Sequence, residues 1–327
     1  MRHFLTIIDQ SPDTLRHLLA EAARLKADTT AGRFADTLRH KVVGLVFEKP
    51  SLRTRVSFEA GVAQLGGSSL FQAGNEVGLG VREPLQDFAR TMSQYVNAIV
   101  LRVFAHETVE KVANYATVPV INGLSDTSHP CQALADVLTV QECFGDVTGK
   151  TVAFVGDGNN VARSLAVLCG KLGMRFVLAH PPGYGFPDDF KTAYLKVVGP
   201  TLPAEISDPA AAVKAADVIY TDVWTSMGQE AERAKRLTDF APYQVNAALL
   251  KKAPKHAKVL HCLPAHRGEE ITDDAIEGPA RVCYCGNSFG FANSIFHGRS
   301  CHFRNTPAAW NGSAFSSASA ASAVSAS

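Results

Sequence analysis

Short aliphatic runs alternate with helix-length amphipathic stretches along most of the chain. The runs are Val42 to Phe47, Ala98 to Val103, Val118 to Ile121, Val152 to Val155, Phe176 to Ala179, Val218 to Tyr220 and Lys258 to Leu260. Apart from Lys258 and Arg102 they are continuous apolar runs rather than alternating ones, which is how strands covered on both faces read, and the helix-length spacers argue for parallel pairing through crossovers. The expected fold class is α/β, with two domains that each hold a central parallel sheet flanked by helices. The chain opens on a helix: Ser11 is an N-cap, Pro12 suits the first turn, and Leu15, Leu18, Leu19, Ala22 and Leu25 form one stripe. A second strong helical pattern, Pro130 to Phe144, carries Leu134, Val137, Leu138 and Gln141 and runs into Gly145-Asp146-Val147-Thr148-Gly149. That turn-rich break is the expected interdomain hinge. Residues 1–145 then make the first domain and 146–282 the second. An atypical segment, 283–312, is expected to pack on the first domain, where Tyr284, Phe289, Phe291, Ile295, Phe296 and Phe303 need cover. The Ala/Ser tail 313–327 has one aromatic, Phe315, and no charge, so it is expected to be disordered.

Composition narrows the function. The 327 residues are 46% hydrophobic, ample for two cores. Lys+Arg 32 against Asp+Glu 31 leaves a formal charge of +1, so no global field is available to hold nucleic acid or an anionic membrane. Any anion must be caught by a local cluster. No apolar run approaches the ~20 residues of a membrane span, and Met1 to Gln10 lacks a signal-peptide pattern, so a cytoplasmic protein is expected. Seven scattered cysteines suggest reduced thiols rather than a disulfide scaffold. Cys283 and Cys285 have no second Cys or His pair at zinc-site spacing, and neither metal nor cofactor is expected.

Several segments place chemistry at strand ends. Phe47-Glu48-Lys49-Pro50-Ser51-Leu52-Arg53-Thr54-Arg55 leaves a buried strand and enters a helix with Phe58, Val62 and Leu65 on its apolar face. Free N–H groups, two hydroxyls and guanidinium groups at a helix start suit a phosphate; a capped surface helix with solvated arginines is the plainer reading. Val155-Gly156-Asp157-Gly158-Asn159-Asn160-Val161 also joins a strand to a helix. Its G-x-G opening lacks the third glycine, and His180 stands where a dinucleotide site wants an acid, so Asn159 and Asn160 read either as polar ligand contacts or as turn formers. Asp222 follows the Val218 to Tyr220 run, where a carboxylate can meet a cationic substrate group. Cys262 follows Lys258 to Leu260; adjacent strand residues point to opposite faces, so His261 and Cys262 make no catalytic dyad. His129 starts a helix, where the dipole disfavours the imidazolium, and reads as a neutral donor or as a structural histidine.

Taken together, these segments resemble the aspartate/ornithine carbamoyltransferase family. The matching pieces, in the family's order, are FEKPSLRTRVSFE (47–59), the strand end at Arg102, HPCQALADVLTVQE (129–142), FVGDGNNVARSL (154–165), DVWTSMGQE (222–230) and HCLPAHRGEEIT (261–272). The resemblance implies a first domain for carbamoyl phosphate, a second for the amino acid, and homotrimers with active sites near subunit interfaces. It implies that Ser51, Leu52, Arg53 and Thr54 hold the phosphate, with Arg102, His129 and Gln132 around the carbamoyl end and Cys262 and Leu263 between the substrates. It further implies that Asn160, Asp222, Ser226 and Met227 hold L-ornithine, that Arg102, His129, Asp222 and Cys262 are catalytic, and that the δ-amine takes the carbamoyl group to give citrulline and phosphate, a step of arginine biosynthesis. Three features depart from the family pattern. Leu52 stands where a Thr is usual, which raises an N-acylated ornithine as an alternative substrate. Gly78 stands where a Gln or His often reaches the substrate, leaving Arg82 as a candidate substitute. From Arg281 onward the family's acidic-Asn-Arg pattern and final helix are missing, leaving Arg299 as a candidate stand-in and raising a ligand-binding relative without turnover as a further alternative.

Overall fold

A computed structural model describes residues 3–226 and 228–281. Four parallel strands, β1 (Val42–Phe47), β2 (Ser68–Ala73), β3 (Ala98–Arg102) and β4 (Val120–Leu124), form the first sheet in the order β2-β1-β3-β4. Five more, β5 (Thr151–Val155), β6 (Arg175–Ala179), β7 (Ala204–Ile206), β8 (Val218–Thr221) and β9 (Lys258–His261), form the second in the order β7-β6-β5-β8-β9. Both sheets are wholly parallel with helical crossovers, the α/β class that the apolar runs predict.

Two strands went unread in the sequence, and both lie at sheet edges. β2 (Ser68 to Ala73) has one partner and is exposed or half-buried at every position, so it shows no continuous apolar run. β7 is three residues long and likewise never fully buried. The fourth strand also starts later than its apolar run suggests. Pro119 cannot donate to a ladder, and pairing runs on through the buried Asn122 to Leu124.

The order reverses between β1 and β3 in the first sheet and between β5 and β8 in the second. In parallel sheets such switch points leave a crevice at the strands' carboxyl ends, because the crossovers on either side depart in opposite directions. Residues 48–54 and 102–105 leave one switch point, and 156–161 and 222–226 the other. One cavity is lined from both sets.

The halves share a core. The Pro130–Phe144 helix is buried from Pro130 through Val140 and packs against the Asn160–Lys171 helix, so Leu134 and Val137 belong to one apolar cluster with Leu45, Phe154 and Leu165. The N-terminal segment adds a strap. Phe4 bridges to Ile121 beside β4, and Lys171 Nζ donates to the carbonyls of Ile7, Ile8 and Gln10 at 2.6–3.1 Å. No helix among the described residues is long and apolar enough to cross a membrane. The expectations for 283–312 and 313–327, and those for Met227, Cys283, Cys285 and Arg299, lie outside the described residues.

Candidate active site

The cavity of about 1670 Å³ opens between the two sheets. Its first corner is built by β1 and the Leu52–Gln64 helix. Ser51 caps that helix, its Oγ accepting from Thr54 N at 3.3 Å and lying 2.7 Å from Thr54 Oγ1. The N–H groups of Leu52 and Arg53 precede the first intrahelical bond and point out of the helix start. Arg102, at the end of β3, donates from Nη1 to Thr54 Oγ1 at 3.1 Å and is 7% exposed. Arg53 and Arg102 make no ion pair among the described residues, and burial with Arg53 nearby pushes the Arg102 guanidinium down to about 10. It is still a cation at neutral pH. Burial also lowers Arg53 and, together with the Arg102 charge, Lys49, whose ammonium lies 4.5 Å from the Phe104 ring centre. Three cations at a helix N-terminus, Arg53 and Arg102 without a carboxylate partner among the described residues, make a corner whose charge and donors suit an anion. Arg55 is not part of it: its guanidinium pairs with Glu59 at 3.0 Å and stacks 3.7 Å from the Phe71 ring centre.

His129 and Gln132 close this corner from the Pro130–Phe144 helix. The His129 N–H donates to Ser164 Oγ at 2.9 Å, which anchors the first-domain helix start on the second domain. Burial first and the Arg102 charge second hold the His129 imidazole well below the usual histidine range. It is neutral at pH 7, so one ring nitrogen keeps its hydrogen as a donor.

The second corner is centred on Asp222, just past β8. Its Oδ1 accepts from Val223 N at 2.8 Å and from Cys262 Sγ at 2.9 Å, and its Oδ2 accepts from Asn159 Nδ2 at 2.9 Å. Burial, reinforced by the Asp222 carboxylate, drives the Cys262 thiol well above its ordinary value. Cys262 is thus a protonated donor and not a thiolate nucleophile. His261 turns the other way: its Nε2 meets Glu270 Oε1 at 3.1 Å, and its Nδ1 accepts from Leu263 N at 2.8 Å. Leu263, with a φ of +52°, is held in the left-handed region by this bond. Ligand atoms of Asp222, His261 and Cys262 lie within 4.8 Å of one another, as do those of His266, Glu269 and Glu270, but both His261 nitrogens are already engaged.

The cavity wall therefore brings together Ser51, Leu52, Arg53, Arg102, His129, Gln132, Asn160, Asp222, Ser226, Cys262 and Leu263, with Thr54 behind Arg102. Asn160 lines it, although its Nδ2 is spent on the Ser125 carbonyl at 2.6 Å. The Gly78 loop does not line it. Gly78 has a φ of +62°, and a Cβ there would lie 2.8 Å from Arg82 Cβ, so the backbone itself disfavours a side chain at this position. Residues not singled out from the sequence also reach the wall: Lys49, inside the phosphate motif, and Arg236, whose guanidinium ties Asp157 (2.7 Å) to the Trp224 carbonyl (3.0 Å) and so braces the 222–226 loop.

Comparison with known proteins places this geometry. Residues 2–142 match the family described as aspartate/ornithine carbamoyltransferase, carbamoyl-P binding domain, and residues 148–290 its Asp/Orn binding domain. Among similar sequences are the ornithine carbamoyltransferases of Bacillus subtilis, 50% identical over 85% of this chain and 86% of the relative, and of Archaeoglobus fulgidus, 48% identical over 87% and 92%. Among solved structures, ornithine carbamoyltransferase from Pyrococcus furiosus superposes with a TM-score of 0.85 at 44% identity, covering 90% of this chain and 95% of that one. The Thermus thermophilus enzyme gives 0.80 at 40%, covering 90% and 96%.

Proposed function

The chain belongs to the aspartate/ornithine carbamoyltransferase family, and on that premise we propose that it transfers the carbamoyl group of carbamoyl phosphate to the δ-amine of L-ornithine, giving L-citrulline and phosphate. The observation that carries this reading is the split character of one cavity: an Arg53/Arg102 cation pair without carboxylate partners among the described residues at a helix N-terminus, and across from it a carboxylate, Asp222, braced by three donors. The first corner suits a phosphate and the second an α-ammonium.

In this reading Ser51, Leu52, Arg53 and Thr54 take the phosphate, and Arg102, His129 and Gln132 surround the carbamoyl end. Asn160, Asp222, Ser226 and Met227 take ornithine, while Cys262 and Leu263 fill the space between. The neutral δ-amine attacks the carbamoyl carbon, and a C–N bond forms as the carbonyl oxygen gains negative charge. Arg102 and neutral His129 donate to that oxygen, and one preorganised donor of this kind is typically worth ~3–4 kcal/mol. Collapse breaks the C–O bond, and phosphate leaves with the proton the amine has lost. The Arg53 and Arg102 charges disfavour an ammonium at the reacting end, so they lower the cost of delivering the amine neutral. Asp222 keeps the distal α-ammonium charged and in place.

Assembly belongs to the same proposal. Leu52 (74% exposed), Val56 (51%) and Leu70 (43%) project from the Leu52–Gln64 helix and the neighbouring edge strand β2, beside the phosphate corner. Apolar side chains on an open sheet edge call for cover, and we assign it to neighbouring subunits of a homotrimer. We further place the reaction in the cytoplasm as a source of citrulline for arginine biosynthesis.

The test is a citrulline assay with ornithine and N-acetylornithine side by side. Because Asp222 needs a free α-ammonium, ornithine should be much the better substrate. Comparable kcat/KM values for the two would remove Asp222 from the assigned role.

A further inference from the structure

Asp136 lies one helical turn beyond Gln132 on the Pro130–Phe144 helix and is 1% exposed. Its Oδ1 accepts from Gln132 Nε2 at 2.9 Å. Its Oδ2 and the hydroxyl of Tyr220 beside it are buried together, with no hydrogen bond of ordinary geometry among the described residues. The titratable groups facing Asp136 from the other elements are Tyr220 on β8, Asp222 just beyond it, Cys262 after β9 and Cys169 on the Asn160–Lys171 helix. All four are acids, and no cation stands among them. A carboxylate in such surroundings would be desolvated and repelled at once, whereas a carboxylic acid would be neither. Burial accordingly pushes the Asp136 carboxyl well above the usual carboxylate range, and the Asp222 charge adds to it.

We propose that Asp136 is the positioning residue for Gln132: an uncharged carboxylic acid, backed by Tyr220, that holds the amide nitrogen of Gln132 and thereby turns the amide oxygen toward the carbamoyl end of the cavity. The inference rests on Gln132 being a carbamoyl phosphate contact, as assigned above. The two ends of a glutamine amide have almost the same shape but opposite hydrogen-bonding sense. A carbamoyl NH₂ is a donor and needs the oxygen. Gln132 lines the cavity and Asp136 does not, so Asp136 acts only through its neighbour. Its second oxygen and the Tyr220 hydroxyl also lie where the last helix of the first domain faces an inner strand of the second, on the side where Cys262 and Asp222 sit.

Two variants and one spectrum test this. Asp136→Asn keeps an oxygen for Gln132 Nε2 and adds no charge, so its kcat, its KM for carbamoyl phosphate and its pH profile should follow the wild type. Asp136→Leu should lower kcat/KM for carbamoyl phosphate by roughly tenfold, the scale of one hydrogen bond. In that background Gln132→Ala should add little further loss. An Asn variant as impaired as the Leu variant, or fully additive losses, would overturn the proposal. The difference infrared spectrum of wild type against Asp136→Asn at neutral pH should show the carbonyl stretch of a protonated acid. A carboxylate band in its place overturns the uncharged state. That outcome can be read even if Asp136→Leu does not fold and even if the chain makes no citrulline.

Discussion

His129 carries the clearest pH signature of any single residue in the site. Its imidazole is buried against Arg102 and held well below the ordinary histidine range, so around pH ~6.5 and below the unfolded chain takes up a proton that the folded chain refuses. Stability from this group is complete above the unfolded value and is lost as pH falls, by up to ~1.4 kcal/mol per pH unit until the folded value is reached. Relative to wild type, His129→Asn should therefore gain in melting temperature between pH 7.5 and pH 5.5. A difference in melting temperature that stays constant over that range contradicts a neutral His129. Placement at the cavity was legible where type and position coincide: Arg53 at a helix start and Asp222 at a strand end both reach its wall. Asp136 was not legible, because an aspartate inside an apolar helix says nothing of the glutamine amide it meets until the helix is seen buried on every side. Arg55 misled for the converse reason. It lies two positions beyond Arg53, about 200° further round the helix, where it meets Glu59 and Phe71.

At the scale of elements, the apolar runs predicted seven strands, all of them well buried, while β2 and β7 stayed hidden because edge strands with mixed burial resemble loops in composition. The same edge carries an assembly prediction. Val56 is half-exposed on the outer face of the Leu52–Gln64 helix, so a charge there should leave the folded subunit intact. Val56→Glu should lower the mass seen by sedimentation equilibrium from that of the proposed trimer toward monomer, with unchanged far-ultraviolet circular dichroism. A variant that remains trimeric would move the subunit contact away from this helix and strand.

The molecule works as two switch points facing each other. Each sheet supplies a crevice at its carboxyl edge, and the Pro130–Phe144 helix, buried through Val140, the His129 bond to Ser164 and the Lys171 strap over Ile7, Ile8 and Gln10 hold the two crevices in one cavity. The first domain supplies the anion corner and the second the carboxylate corner, so the cavity that holds both is a property of the pair. Two α/β domains were readable from chain length and from the two groups of apolar runs, whereas the strap was not, since it joins residues more than 160 positions apart. The central claim is that this one cavity joins the two substrates directly. The most direct measurement is a time course of citrulline and inorganic phosphate from purified protein with carbamoyl phosphate, in the presence and absence of ornithine. The two products should rise one to one with ornithine, and phosphate should stay at the uncatalysed background without it. Phosphate released without citrulline, or no citrulline at all, would contradict the account.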